Sequence, residues 1–245
     1  MRILALDTAT SACTVAVTDG DRVLSELTLE VPRAHSTRLM PLIAQAVAES
    51  GLAKTDLDGL AAGTGPGSFT GLRIGLSTVK GLAFALGKPC AGVGTLAAMA
   101  YGTGAQIGLV VPMLDAKRGE VFAAVYAVGD RNPSTWAELV PPGHFALGAL
   151  AERIQDLRAG LRHTWQFVTL CGDVAAQHGD ALTLGDALRL APAGAMLPRG
   201  WAVAAVARSM FQTGHSGDPD LLLPVYLRKS EAETLWEARK SPSSQ

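Results

Sequence analysis

The sequence predicts an α/β protein of two duplicated domains, each a mixed sheet with helices on its faces. Three observations carry this expectation. The first hundred residues alternate short apolar runs with helix-spaced ones in the order β-β-β-α-β-α-β-α. Landmarks at the ends of the expected strands recur at an offset of 108 positions, which puts Asp115 on Asp7, residues 121–125 close to residues 13–17, and Cys171-Gly172-Asp173 on Gly63-Thr64-Gly65. A length of 245 residues with 48% hydrophobic content is enough for two cores. The expected domains are residues 1–105 and 106–245, with the tail able to pack back on the first.

The elements follow in order. Ile3 to Leu6 is an apolar run that ends in the small polar turn Asp7-Thr8-Ala9-Thr10-Ser11. Residues 13–17 resume the strand pattern up to Asp19-Gly20-Asp21, a hairpin signal, and Val23, Ser25, Leu27 and Leu29 continue it as a third strand. Leu39, Met40, Ile43, Ala44 and Val47 are spaced for a helix over 36–50, with Ser or Thr at its start, Gly51 at its stop and Pro41 near its first turn. Residues 57–63 read as a buried strand, 71–86 as a helix and 89–93 as a fifth strand. Thr95 is expected to cap a helix to about Ala100. In the second half, strands are expected at 110–115, 121–128, 136–140 and 165–170, with helices over 147–161 and 201–212. Residues 240–245 read as frayed.

Composition excludes several classes of function. A formal net charge of −1 supplies no electrostatic footprint for tight nucleic-acid binding by this chain alone. Cys13, Cys90 and Cys171 are odd in number and far apart, so they indicate neither a disulfide framework nor a thiolate zinc site. No apolar run is long enough to span a bilayer, and Asp7 comes too early for a signal-peptide core. A cytoplasmic, membrane-free protein is expected.

The most informative stretch is Gly63-Thr64-Gly65-Pro66-Gly67-Ser68-Phe69-Thr70-Gly71-Leu72-Arg73-Ile74-Gly75. Glycines at this density serve close approach of backbone, since each costs about 0.5–1 kcal/mol relative to Ala inside a helix. The stretch is neither a P-loop nor a complete GxGxxG. Two readings stay open: an anion nest at a helix start, or a structural loop packing strand, turn and helix together. Helix 71–86 is small or apolar all round, with Gly71, Gly75, Thr78 and Leu82 on one stripe and Leu72, Leu76, Val79 and Ala83 on another. Such a helix is covered on all sides, by its own core or by another protein.

Asp7 and Asp115, each at a strand end, either hold a metal–phosphate across a cleft or cap their own turns; for Asp7 the cap is preferred. His35 has Arg38 and Leu39 where a helical metal pair needs its second ligand. His144, His163, His178 and His215 lack ligand spacing, and no GxSxG elbow is present. Neither a metal site nor a triad is expected.

Asp7-Thr8-Ala9-Thr10, His35-Ser36, the run 63–80, Asp115-Ala116-Lys117-Arg118-Gly119-Glu120-Val121 and Pro224-Val225-Tyr226-Leu227-Arg228 together resemble the TsaB (YeaZ) family. The resemblance covers nearly the whole chain and is strongest over its first 125 residues. It implies an actin-like, Hsp70-like, sugar-kinase-like fold of two duplicated domains. It also implies a non-catalytic partner role in making N6-threonylcarbamoyladenosine in tRNAs that read codons beginning with A. The implied partners are a TsaD-like catalytic subunit and a TsaE-like ATPase, with tRNA reached only through the complex and a homodimer formed by the chain alone. The catalytic relative TsaD binds metal through two histidines four apart; here the second position is Leu39.

On this resemblance the partner-binding candidates lie on helices 36–50 and 71–86: Leu39, Met40, Ile43, Gly71, Leu72, Gly75, Leu76 and Val79. A vestigial nucleotide site would comprise Asp7, Thr8, Gly65, Gly67, Ser68 and Asp115, with ATP bound weakly or not at all and no other cofactor. The alternative is an independent nucleotide-dependent transferase or kinase of the same fold. A peptidase is the least favoured reading.

Overall fold

The computed structural model describes residues 1–30, 35–104, 108–129, 132–160, 167–214 and 217–228. The expected boundary at 105/106, Trp165, His163, His215 and residues 240–245 lie outside them.

The first lobe is a five-stranded sheet. β1 (Arg2–Asp7), β2 (Ala12–Asp19) and β3 (Arg22–Glu30) form an antiparallel meander, and β4 (Gly59–Gly63) and β5 (Cys90–Val93) add in parallel to β1, giving the order β3-β2-β1-β4-β5. Parallel neighbours need crossovers. These are α1 (His35–Glu49) between β3 and β4, and α2 (Phe69–Leu86) between β4 and β5. The helix α3 (Thr95–Gly102) follows.

The second sheet repeats the plan. β6 (Gly108–Lys117), β7 (Glu120–Val128) and β8 (Ala137–Ala146) form the meander, α4 (Leu147–Gly160) crosses to β9 (Val168–Cys171), and β10 (Leu188–Leu190) closes the order β10-β9-β6-β7-β8. Read from its other edge this is the order of the first sheet, so β6 matches β1 and β9 matches β4. The duplication expected from the 108-residue offset is present in topology. The lobes differ at the counterpart of α2: between β9 and β10 the second has the short α5 (Ala175–His178) and two single 3₁₀ turns.

Both faces of the first sheet are buried, and period-2 alternation sorts its side chains between two cores. Leu4, Leu6, Leu60 and Ala62 face α1 and α2, against Leu39, Ile43, Ala46, Leu76, Val79 and Ala83. Ile3, Ala5, Ala61 and Ala91 face the other way. Their cover is α6 (Gly200–Gln212), through Val203, Ala204 and Ala207.

Helix 201–212 falls within the expected domain 106–245 of the sequence reading, and as α6 it packs on the first sheet. Gly200 makes that docking sterically feasible, since a Cβ there would stand 2.7 Å from the Ala16 amide nitrogen. The Gly200 N–H donates to Thr14 Oγ1 at 3.0 Å, and Glu26 on β3 accepts from both the Arg199 guanidinium and the Trp201 N–H. The polar contacts that seat α6 therefore come from strands almost two hundred residues earlier in the chain.

Two smaller differences have local causes. Thr95 begins α3 but does not cap it, because its hydroxyl is committed to Asp7 while Gly94 occupies the cap position. The strand expected at 136–140 runs on as β8 to Ala146, following β7 through irregular register.

Candidate functional site

The glycine-rich stretch is shaped by the turn that follows β1. Asp7 is fully buried; its Oδ1 accepts the Ala9 N–H at 2.7 Å and its Oδ2 accepts the Thr95 hydroxyl at 2.8 Å. Thr95 Oγ1 in turn accepts the Gly65 N–H. Thr8 Oγ1 donates to the Gly71 carbonyl at 2.8 Å, and the Ser68 N–H donates to the Ala9 carbonyl at 2.6 Å. Ser68 also caps α2 by accepting the Gly71 N–H.

The glycine spacing follows from this packing. A Cβ on Gly63 would lie 1.9 Å from Asp7 Oδ2, on Gly67 2.2 Å from the Ala9 carbonyl oxygen, on Gly71 2.0 Å from the Thr8 carbonyl oxygen, and on Gly75 2.4 Å from Thr8 Oγ1. Four glycines thus bring β4, the loop and α2 onto three residues of the β1 turn. Of the two readings of the loop, close packing within the chain has direct support. The amides of Gly65, Ser68 and Gly71 are already engaged there.

Burial is the largest influence on Asp7 and pushes its carboxyl from 3.8 up to about 6; the Ala9 and Thr95 hydrogen bonds and the nearby His35 oppose it. This is the turn-cap role preferred from the sequence.

Between the lobes lies a cleft of about 750 Å³. One wall is Gly67, Ser68, Phe69 and Gly71 with Thr10, Ser11 and His35; the other is Asp115, Lys117, Phe122 and Asp173. Of the six nucleotide-site candidates, Gly67, Ser68 and Asp115 line the cleft, whereas Asp7, Thr8 and Gly65 stand behind its wall.

Asp115 accepts the Lys117 N–H at 2.7 Å and Lys117 Nζ at 2.6 Å, and its own N–H donates to Asp173 Oδ1 at 3.1 Å. The lysine holds the Asp115 carboxyl below the usual carboxylate range, while burial pushes Asp173 up. Lys117, Arg118 and Gly119 are consecutive residues at positive φ, a tight turn that folds Lys117 back onto Asp115. Among the described residues no group of three metal-ligating side chains converges. His35 Nε2 lies 3.3 Å from the Ala12 carbonyl oxygen, and Leu39 beside it is core.

The partner-binding candidates fall unevenly. Leu39, Ile43, Leu72, Leu76 and Val79 are buried at 0–3% exposure in the lobe's own core, and Gly71 and Gly75 face Thr8. Those seven are covered within this chain, because the apolar stripes that marked them pack inward; Ile43 also forms part of the groove between α1 and α2. Of the eight, Met40 is on the surface, 50% exposed.

The outward side of α2 carries Arg73, Ser77, Gly81, Phe84 and Ala85, and Phe84 is 87% exposed. Met40 and Ala44 of α1 line a shallow apolar groove with Leu82 and Leu86 of α2. Ala44 and Leu82 were read from the sequence only as members of helix stripes, and Phe84 and Leu86 were not singled out. A signal was available: subtracting the sheet-facing stripe from α2 leaves a face with a phenylalanine beside Ser77, Gly81 and Ala85.

Comparison with known proteins agrees in scale with this architecture. The family model described as TsaD, tRNA N6-adenosine threonylcarbamoyltransferase, matches residues 26–236. The chain is 36% identical over 241 residues to the tRNA threonylcarbamoyladenosine biosynthesis protein TsaB of Escherichia coli, covering 95% of this chain and 96% of that protein. It is 29% identical over 238 residues to TsaB of Bacillus subtilis, covering 96% and 98%. The solved structure of YeaZ from Pseudomonas aeruginosa superposes with a TM-score of 0.72 at 27% identity, covering 92% of this chain and 99% of that one. The match runs through both lobes and the returning α6, and on that ground the chain belongs to the TsaB (YeaZ) family of tRNA threonylcarbamoyladenosine biosynthesis proteins.

Proposed function

We propose that this chain is the non-catalytic, scaffolding subunit for threonylcarbamoyl transfer to N6 of the adenosine 3′ of the anticodon, in tRNAs reading codons that begin with A. It acts in the cytoplasm by pairing with a TsaD-like catalytic subunit through the outward faces of α1 and α2, helps recruit a TsaE-like ATPase, and meets tRNA only through the complex. Alone, it pairs with a second copy through the same faces. The observation that carries this reading is the exposed apolar surface of those helices. Phe84 and Met40 stand beside small residues that let another helix approach closely, and an apolar surface of this kind calls for a cover. A stable specific interface would bury about 1,200–2,000 Å².

The state of the carboxylates supports a non-catalytic role. Asp7 is enclosed by Ala9 and Thr95, and Asp115 is neutralised by Lys117, so neither is free to hold a metal–phosphate. The cleft, which keeps Gly67, Ser68 and Asp115 on its walls, favours the second reading, a nucleotide-dependent transferase or kinase.

The deciding experiment is copurification with the TsaD-like subunit, with tRNA modification assayed in the presence and absence of this chain. Modification by the catalytic subunit alone at the full rate would refute the scaffold reading. Calorimetry with ATP and Mg²⁺ separates the alternative, since micromolar binding to the isolated chain would favour it. No helix among the described residues is long and apolar enough to cross a membrane.

A further inference from the structure

After α6 the chain returns past the first lobe, and Leu222, 5% exposed, is embedded in the core under α1 and α2. The next residues run along the cleft, and Val225, Tyr226, Leu227 and Arg228 all line it. Their attachments change lobes midway. The Val225 N–H donates to the Thr64 carbonyl at 2.8 Å, and the Tyr226 ring stacks on Phe69 at 4.7 Å with 26° between planes. Arg73 Nε donates to the Tyr226 hydroxyl at 3.1 Å, while its guanidinium lies over the Phe69 ring at 3.9 Å. All of these hold the first lobe. Leu227 then packs on the cluster where Leu96, Met99 and Ala100 of α3 meet Val110, Leu114, Ala116 and Phe122, and Arg228 donates to the Ala116 carbonyl of β6 in the second lobe.

We propose that residues 224–228 are a detachable strap that sets the opening of the interlobe cleft. Four consecutive residues bind first one wall and then the other, so the span between Tyr226 and Arg228 fixes the distance between the first turn of α2 and the end of β6. The attachments are of a kind that releases without unfolding either lobe. Val225 and Tyr226 are 43% and 41% exposed, and their contacts are single hydrogen bonds and ring faces at the surface, whereas Leu222 upstream stays in the core as an anchor. Segments held by few buried apolar contacts open locally at free energies well below that of global unfolding. With the strap on, the lobes are held at one angle. With it off, the constraint across the cleft is lost, and the lobes stay joined through α3, whose Leu96, Met99 and Ala100 are buried with Val110, Leu114 and Phe122 and act as the hinge side of the opening.

The test is a pulsed electron–electron distance measurement on the full chain, with nitroxides at Glu49→Cys on α1 and Glu152→Cys on α4, both exposed sites. Cys13, Cys90 and Cys171 are at most 2% exposed and stay unlabelled in the folded protein. The parent should give one narrow distance. Tyr226→Ala with Arg228→Ala should shift the main distance by several ångströms and broaden it, and Tyr226→Phe, which keeps the ring stack, should stay close to the parent. A distribution for the double variant that superimposes on the parent, in protein with an unchanged melt, would overturn the proposal. Hydrogen exchange on the unaltered protein provides a readout independent of the variants. The Val225 amide should exchange by local opening, with little dependence on denaturant, and exchange only through global unfolding would equally overturn it.

Discussion

Asp7→Asn isolates the energetic consequence of burying a carboxylate behind the glycine loop. In the folded protein the Asp7 carboxyl titrates at about 6 rather than 3.8, chiefly because burial removes its hydration. The folded state therefore binds this proton more tightly than the unfolded chain does. The sign follows: stability is at its full value below pH 3.8 and falls as pH rises through about 6, where the folded protein must carry a buried charge. At about 1.36 kcal/mol for each pH decade, the loss at neutral pH is about 3 kcal/mol. That figure already includes the opposing help of the Ala9 and Thr95 hydrogen bonds, because they act on the same titration. Asparagine has the shape of the protonated side chain, with an oxygen for the Ala9 N–H and an NH₂ toward Thr95 Oγ1, and it never ionises. Urea unfolding followed by circular dichroism, for parent and variant at a series of pH values from 4 to 8, reads the difference directly. The variant should match the parent near pH 4 and exceed it by about 3 kcal/mol near pH 8, which for a chain of this size is about 6–12 °C in Tm. A difference independent of pH, or a variant less stable than the parent at pH 8, would refute this account of Asp7.

Two glycines of α2 should behave oppositely. Gly71→Ala sets a Cβ 2.0 Å from the Thr8 carbonyl oxygen, a backbone atom that cannot retreat, and should destabilise by about 3 kcal/mol or more in denaturant melts. Gly81→Ala meets nothing within 4 Å and should stabilise the isolated chain by about 0.5–1 kcal/mol while weakening any partner that packs on that face. Leu76→Glu places a charge in the first core, where the leucine is 3% exposed, and should unfold the lobe, so loss of complex in that variant reports on stability and not on the interface. Met40→Glu and Phe84→Glu are the informative substitutions: each should melt within about 0.5 kcal/mol of the parent. Each should also lose the TsaD-like partner in copurification, and retained complex with both would count against the α1/α2 face.

Local patterns are decisive wherever a residue's role depends on its neighbours in sequence. The apolar run at residues 3–6, the strand pattern resumed at 13–17, the 3–4 spacing of Leu39, Ile43 and Val47, and the 108-residue offset between Asp7 and Asp115 determined the strands, the helices and the duplication, because side-chain period and turn chemistry are properties of short segments. The same periodicity could not say what covers an apolar stripe. Leu72, Leu76 and Val79 look identical in sequence whether a sheet or another protein lies against them, and only the packing assigned them to the core and left Phe84 outside. The glycines at 63, 67, 71 and 75 announced a close approach, but the surface they approach, Asp7 to Ala9, lies more than fifty residues earlier in the chain. The placement of α6 on the first sheet and the crossing of residues 224–228 from one lobe to the other were also decided by tertiary contacts. No local pattern encodes which sheet a helix will cover when two of the same topology are available.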